Sequence, residues 1–273
     1  MLASQRRSRI AELVDLHGAV RVSDLVSELG VSDMTVRRDI DQLAERGLLE
    51  RVHGGAVAVG GRTSDEPGFT AKSALMTAQK QAIAAAAAAL VEPGSSIGIS
   101  AGTTTYELAR AVRAIPDLTV VTNSVPVAQL LHETGTPGQT VVLTGGVRTP
   151  SDALVGPVAV TALRSLHVDL LFLGAHGVDP DAGLTTPNLV ESETNRALVD
   201  CARRVCVLVD HTKWGVVGLS TFLELARVDV LVTDSGLSSR ARAALGDSVR
   251  ELVLADERPA RAHRRQPQRK EAG

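Results

Sequence analysis

After residue 95 the chain alternates short runs of branched aliphatic residues with stretches of helical periodicity, and this alternation restricts the fold more than any other feature. SIGIS precedes TTTYELARAV, LTVVT precedes VPVAQLLH, and TVVLT, VAVTALRSL, DLLFLGA, ESETNRALVDCA, VCVLVD, DVLVTD, SRARAALG and ELVLAD continue the series. Runs of Val, Leu and Ile without a polar face need cover on both sides, and the intervening helical stretches supply crossovers between parallel strands. The pattern predicts an α/β domain built on a mostly parallel sheet. Aromatic residues are only 2% of the chain, so the core must be filled by Val, Leu, Ile and Ala.

The first sixty residues follow a different pattern. Ile10, Leu13, Val14 and His17 recur at helical spacing, which predicts a helix over 3–17 ending before Gly18. After an extended link, AVRV, Ser23 is expected to cap a second helix that stops at Gly30, and Ser32 to cap a third from Asp33 to about Arg46. Two helices joined by a tight turn make a helix-turn-helix. In the third, Val36, Ile40 and Leu43 define the buried stripe. Thr35, Arg37 and Arg38 then lie on the outer early turns, where side chains of a recognition helix reach base edges and phosphates. LLERVHGGAVAV predicts two short strands around Gly54 and Gly55, a wing whose backbone approaches phosphate closely, with Arg51 and His53 as further donors. Ser32, Thr35, Arg37, Arg38, Arg51, His53, Gly54 and Gly55 form the candidate DNA-contacting set.

Charge alone does not require this. The chain carries a net charge of −2, and residues 1–58 hold eight Lys and Arg against nine Asp and Glu. Affinity for a polyanion must therefore come from local placement. The plainer reading, that Arg37 and Arg38 are a solvated face paired with Asp41 and Glu45, competes with the DNA reading.

The phrase VSDMTVRRDIDQLAERGLLERVHGGA decides between them. Residues 5–58 resemble the N-terminal domain of DeoR-type transcriptional regulators, whose signature joins a V-S-x-x-T-[VI]-R-R-D recognition helix to a wing ending R-x-H-G-G-A. The resemblance implies a sequence-specific regulator acting on double-stranded operator DNA, most simply a repressor. Homodimers or higher homo-oligomers follow, because paired half-sites multiply the modest specificity of one short helix.

Polar, Gly-rich VGGRTSDEPG marks a flexible connection, giving a DNA-binding domain over 1–58, a linker over 59–75, a larger domain over 76–256 and a basic, disordered tail over 257–273. In parallel sheets ligands bind beyond the carboxyl ends of the strands, and the candidate ligand residues of this chain cluster there. SAGTTT places Ser100, Gly102, Thr103, Thr104 and Thr105 between a strand and a helix N-terminus, where amides and dipole favour an anion. Asn123 and Ser124, Gly145 and Gly146, the GAHGVD segment and Lys213 of DHTKWG end other strands, and Glu191 opens a helix. Hydroxyls, glycines and one lysine suit a small phosphorylated, polyhydroxylated ligand. His176 and Asp179 are equally consistent with pocket or turn positions.

The resemblance extends to about residue 256 through K-x-x-I-A from Lys80 to Ala84, AGTTT, TNS, GG, GLTT and D-x-T-K-[WF]-G. These resemble the effector-binding domain of DeoR-type regulators, which is similar to sugar-phosphate isomerases, and they imply a sugar phosphate as inducer. The pattern departs at Ser100 and Asn195, where many members carry Asp and Lys. An active isomerase or deaminase using Glu191 as general base is the alternative.

No G-x-G-x-x-G, Walker loop or zinc motif is present, so no cofactor is expected. Cys201 and Cys206 are read as buried free thiols. The Ala-rich run from residue 82 is far shorter than a membrane span and the basic N-terminus has no apolar core, so a cytoplasmic location is expected.

Overall fold

The computed structural model describes residues 2–17, 19–52, 54–57, 69–73 and 75–255. His53, most of the linker and the basic tail lie outside the described residues. The N-terminal module runs α1 (Ala3–His17), β1 (Ala19–Arg21), α2 (Val22–Leu29), α3 (Asp33–Glu45), β2 (Glu50–Val52) and β3 (Gly55–Val57). Ile10, Val14, Leu25, Val36, Ile40, Leu43, Leu49 and Ala56 form its core, all aliphatic. Asp39 is buried on α3 and pairs with Arg6 at 2.5 Å and Arg7 at 3.6 Å, which ties α1 to the recognition helix.

Ser23 does not cap α2. The helix starts at Val22, and Arg21 at its N-cap position has no side-chain acceptor; the Val22 amide donates to the Gly54 carbonyl of the wing at 2.9 Å. The AVRV link is itself a strand, and the wing sheet has three strands in the order β1-β3-β2.

The linker expected over 59–75 contains a short helix, α4 (Phe69–Ser73), anchored where Phe69 meets Tyr106 edge-on at 5.6 Å. Then follow α5 (Thr77–Ala88), β4 (Ser96–Ile99), α6 (Thr103–Val112), β5 (Thr119–Thr122), α7 (Val125–Thr134) and β6 (Thr140–Leu143). A hairpin of β7 (Val147–Arg148) and β8 (Leu154–Val155) leads to α8 (Pro157–Leu163), β9 (Val168–Leu173), β10 (Gly177–Asp179) and β11 (Gly183–Thr186). The chain continues through α9 (Leu189–Asp200), β12 (Ala202–Leu208), β13 (Ser220–Leu223), β14 (Val230–Asp234), α10 (Ser239–Ser248) and β15 (Leu252–Ala255).

Seven strands form one parallel sheet in the order β15-β14-β12-β9-β4-β5-β6. Helices cover both faces, as continuous aliphatic strands require. One core gathers Leu171, Leu173, Leu198, Val207 and Leu231, the other Ile83, Ile97, Leu108, Phe172 and Val230. Free Cys201 and Cys206 are buried, and burial pushes their thiols up to about 11 and about 12. A small antiparallel sheet, β10-β11-β13, stands beside the main one.

The strand order fixes where a ligand site belongs. From β4 the chain proceeds to β5 and β6 on one side, then returns to β9 and builds outward to β15 on the other. The switch point is therefore between β4 and β9, and the crevice beyond their carboxyl ends is the favoured ligand position.

Candidate DNA interface and anion site

Ser32 caps α3, accepting from the Thr35 amide at 3.4 Å while the two side-chain oxygens lie 2.8 Å apart. Both predicted contacts are thus engaged in starting the helix that carries the arginines. Arg37 is exposed and paired with Asp33 at 2.5 Å, which holds the Asp33 carboxyl below its ordinary range. Arg51 on the wing reaches Asp41 at 2.6 Å. Such exposed pairs are screened by solvent and readily exchange partners. Arg38 is exposed and, among the described residues, makes no hydrogen bond or ion pair. Met34 stands beside it on the same helix, 78% exposed.

The two wing glycines have different tasks. Gly54 takes a left-handed φ of 88° at an exposed turn. Gly55 is buried against β1, where an added Cβ would stand 2.1 Å from the Val20 carbonyl oxygen. Its role is close packing of the wing sheet, and the expected approach to phosphate is not available to it.

At the switch point, Ser100 is buried and its Oγ accepts from the Gly174 amide at 3.0 Å, binding the end of β4 to the end of β9. Asn123 is buried and accepts from the Ala101 amide at 2.9 Å while donating to the Leu154 carbonyl at 3.2 Å. Ser124 caps α7 through the Val127 amide. Thr105 is buried and donates to the Gly102 carbonyl. These four residues shape the crevice by holding its walls. Thr104 is also nearly buried, whereas Thr103 is half-buried and lines a cleft of about 340 Å³ with Lys80, Tyr106, Glu107 and Arg110. Gly102, at the N-cap position of α6, offers no side chain to the first-turn amides. Gly145 turns the chain with φ 73°, and exposed Gly146 lets the β7–β8 hairpin close against Val155, whose carbonyl oxygen would lie 2.6 Å from an added Cβ.

Charge converges on this end of the sheet. Lys80 is buried and donates to the Lys72 carbonyl at 2.6 Å. Burial lowers its ammonium to about 8; Asp210 and Glu107 act to raise it, Lys213 and Lys72 to lower it further. His176 is held down at about 4, by burial first and then by the charges of Lys213 and Lys72. Its imidazole is accordingly neutral near pH 7. Three lysines therefore act on the same space, with Asp210 buried and engaged by the Thr212 amide at 3.0 Å. A larger depression of about 450 Å³ lies between α8 and α9, lined by Leu163, His167, Glu193 and Arg196 among others. It lies by the amino ends of β9 and β12, away from their carboxyl ends, and the switch-point crevice is the better candidate.

Both the helix-turn-helix module and the α/β domain match known family models. Residues 6–60 match the DeoR-like helix-turn-helix domain, and residues 75–235 match the DeoR C terminal sensor domain. The chain belongs to the DeoR family of transcriptional regulators. Among DeoR-family relatives, the HTH-type transcriptional regulator GlpR of Haloferax volcanii is 38% identical over 243 residues, spanning 89% of this chain and 94% of its own. The transcriptional repressor AccR of Agrobacterium fabrum is 34% identical over 233 residues, spanning 85% and 89%. Ribose 5-phosphate isomerase from Plasmodium falciparum is 14% identical with a TM-score of 0.37, a likeness covering 51% of this chain and 54% of that one. Chaetomium thermophilum eIF2B beta, at 16% identity and a TM-score of 0.41, covers 63% and 54%.

Within this DeoR-family chain, Asp179 is a turn residue whose carboxylate accepts from the Asp181 and Ala182 amides at 2.9 Å. Glu191 sits half-buried in the first turn of α9, its amide donated to the cap Asn188 at 3.2 Å. Sequence reasoning assigned Lys213 as the cation of the site and did not assign Lys72 or Lys80. The signal for Lys80 was present: a lysine on an otherwise Ala-rich apolar helix has few ways to avoid burial. Lys72 carried no such signal, since its position depends on α4.

Proposed function

We propose that this DeoR-family regulator is a cytoplasmic repressor of a sugar catabolism operon, released from operator DNA by a phosphorylated sugar. The observation that carries the reading is that Lys80 shares a cleft with Thr103 at the uncapped start of α6, close enough to Lys72 and Lys213 for their charges to act on it. Free first-turn amides and the ammonium groups favour a phosphate, with Glu107 and Asp210 among the opposing charges near Lys80. Ser100, Thr103, Thr104, Gly145, Gly146 and Glu191 surround or support the space a polyhydroxylated body would fill.

On the DNA side, Thr35, Arg37 and Arg38 enter the major groove with the front of α3, Met34 offers an apolar contact to a thymine methyl, and Arg51 with Gly54 follows the backbone. Two copies bind paired half-sites as a homodimer or larger homo-oligomer. Effector binding changes the relative placement of the two DNA modules, which couples the sites.

The test is operator affinity measured with and without each member of a panel of triose, pentose, hexose and aminohexose phosphates, alongside thermal unfolding. A ligand at about 100 times its dissociation constant adds roughly 2.7 kcal/mol of stability. One member should raise the unfolding temperature and weaken operator binding. Stabilisation by none of them, or turnover of one that disappears in Glu191→Gln, overturns the reading.

A further inference from the structure

The turn that delivers Lys213 to the anion crevice also touches the DNA-binding module. It follows β12, is capped by Asp210 and runs as a single 3-10 turn over His211–Lys213 before Gly215. The backbone amide of His211 donates to Asp234 at the end of β14, at 2.7 Å, and its ring Nδ1 lies 2.7 Å from the other oxygen of the same carboxylate. Asp234 is almost fully buried, so the ring is fixed on the sensor side. The opposite ring nitrogen, Nε2, lies 3.8 Å from Asp24 in the first turn of α2. At the far end of the turn, a side chain at Gly215 would meet the guanidinium of Arg21 at 3.9 Å. Arg21 closes β1 and occupies the N-cap position of α2. Both ends of one five-residue turn therefore abut the start of a single helix in the other module. That helix packs Leu25 and Leu29 into the core shared with Val36 and Ile40 of the recognition helix.

We propose that the His211–Gly215 turn is the link through which the anion crevice acts on the DNA-binding module: Lys213 answers the phosphate, and His211, held between Asp234 and Asp24, carries the displacement to α2. The inference rests on the sugar-phosphate reading of the crevice and adds the route of its regulation. Charge makes the grip specific. The hydrogen bond to Asp234 first, and then the Asp24 carboxylate 3.8 Å away, raise the His211 imidazolium to about 10 despite its burial, so the ring is a cation between two carboxylates at neutral pH. An anion drawing Lys213 toward the crevice pulls on a backbone only two residues away. A turn pinned on one side by a buried carboxylate transmits such a pull to its looser contact, and Asp24 is the more exposed of the two partners.

Asp24→Asn is the decisive variant, because it cuts the contact without leaving buried Asp234 unpaired, as His211→Gln would. Two measurements on the full chain are made. The first is the titration of the His211 ring by NMR without sugar phosphate, whose midpoint should fall in Asp24→Asn if the contact exists in solution. The second is operator affinity with and without each member of the sugar phosphate panel. Wild-type protein should lose roughly 5- to 150-fold in operator affinity with the active member, and Asp24→Asn less than about twofold, while calorimetry shows that the variant still binds that sugar phosphate. A variant that keeps the wild-type response, or a His211 titration unmoved by Asp24→Asn, overturns the link alone. Absence of any response in wild type overturns the sugar-phosphate reading and the link with it.

Discussion

The starts of α3 and α6 are the two places proposed to meet phosphate, and they differ in how they are built. At α3 the cap is filled by Ser32, which already accepts from the Thr35 amide, and the cations stand outside on exposed side chains. At α6 the cap position is Gly102, the amides are left open, and the cations arrive from other elements, with Lys80 buried. A closed cap with exposed arginines suits a polymer that approaches from solvent and brings many phosphates. An open cap at the bottom of a crevice suits one small anion that must leave water to bind. The first arrangement tolerates loose geometry; the second depends on it.

The largest expected effect comes from filling the open cap. Thr103→Asp puts a carboxylate at the start of α6, where helices accept acids, on a residue that lines the cleft rather than on buried Thr104. The response of operator affinity to the active sugar phosphate, roughly 5- to 150-fold, should vanish while operator affinity itself and its salt dependence stay at wild-type levels. A retained response would move the phosphate position toward Gly145, Gly146 and Lys213.

Removing an exposed cation should act on operator binding itself, over a comparable range. Arg38→Ala should weaken operator binding by about 1 to 3 kcal/mol if the guanidinium reads a base. A uniform loss over sequences with a salt slope reduced by about one would make it a phosphate contact instead. Unchanged affinity in a low-salt titration would remove Arg38 from the interface.

A smaller effect, of pH, is confined to the crevice. Lys80 is cationic below about 8, so deprotonation above that value removes a charge that favours the anion. Affinity for the sugar phosphate should fall as pH rises from about 8 to about 9.5, by up to roughly tenfold per unit. Lys80→Met should start weaker and show a flatter profile, and calorimetry across pH distinguishes the two. DNA binding should not follow this curve, because arginine keeps its charge throughout.

The smallest effect concerns the filled cap. Ser32→Ala should lower the stability of the N-terminal module by about 1 kcal/mol, seen as an earlier unfolding transition, with the effector response intact. No equivalent residue exists at α6 to remove.

Those contrasts track what the sequence made legible. The parallel strands and the recognition helix announce themselves through local periodicity, and Ser32, Val36, Ile40 and Leu43 are read directly. The sheet β10-β11-β13 is not, because GLTT and STFL are short, rich in Gly, Thr and Ser, and are strands only by pairing with distant partners. α4 escapes for the same reason: five residues form a helix because Phe69 has Tyr106 to lean on. The candidate crevice divides along this line. AGTTT and Lys213 sit in recognisable turns, whereas Lys72 and the His211 contact to Asp24 exist only once separate parts of the chain have met. Asp39, an acid in the middle of a helix studded with charge, looks exposed in sequence and is buried by two arginines from α1.

Trp214 follows Lys213 in the turn and is the chain's single tryptophan, beside a single tyrosine. It is half-buried, bridged to Val178 and packed against the core on one face of the sheet. Near-ultraviolet light that excites indole selectively will therefore report from one place in the molecule, the turn that meets the start of α2. Quenching and emission wavelength become a label-free record of that turn, free of background from every other element.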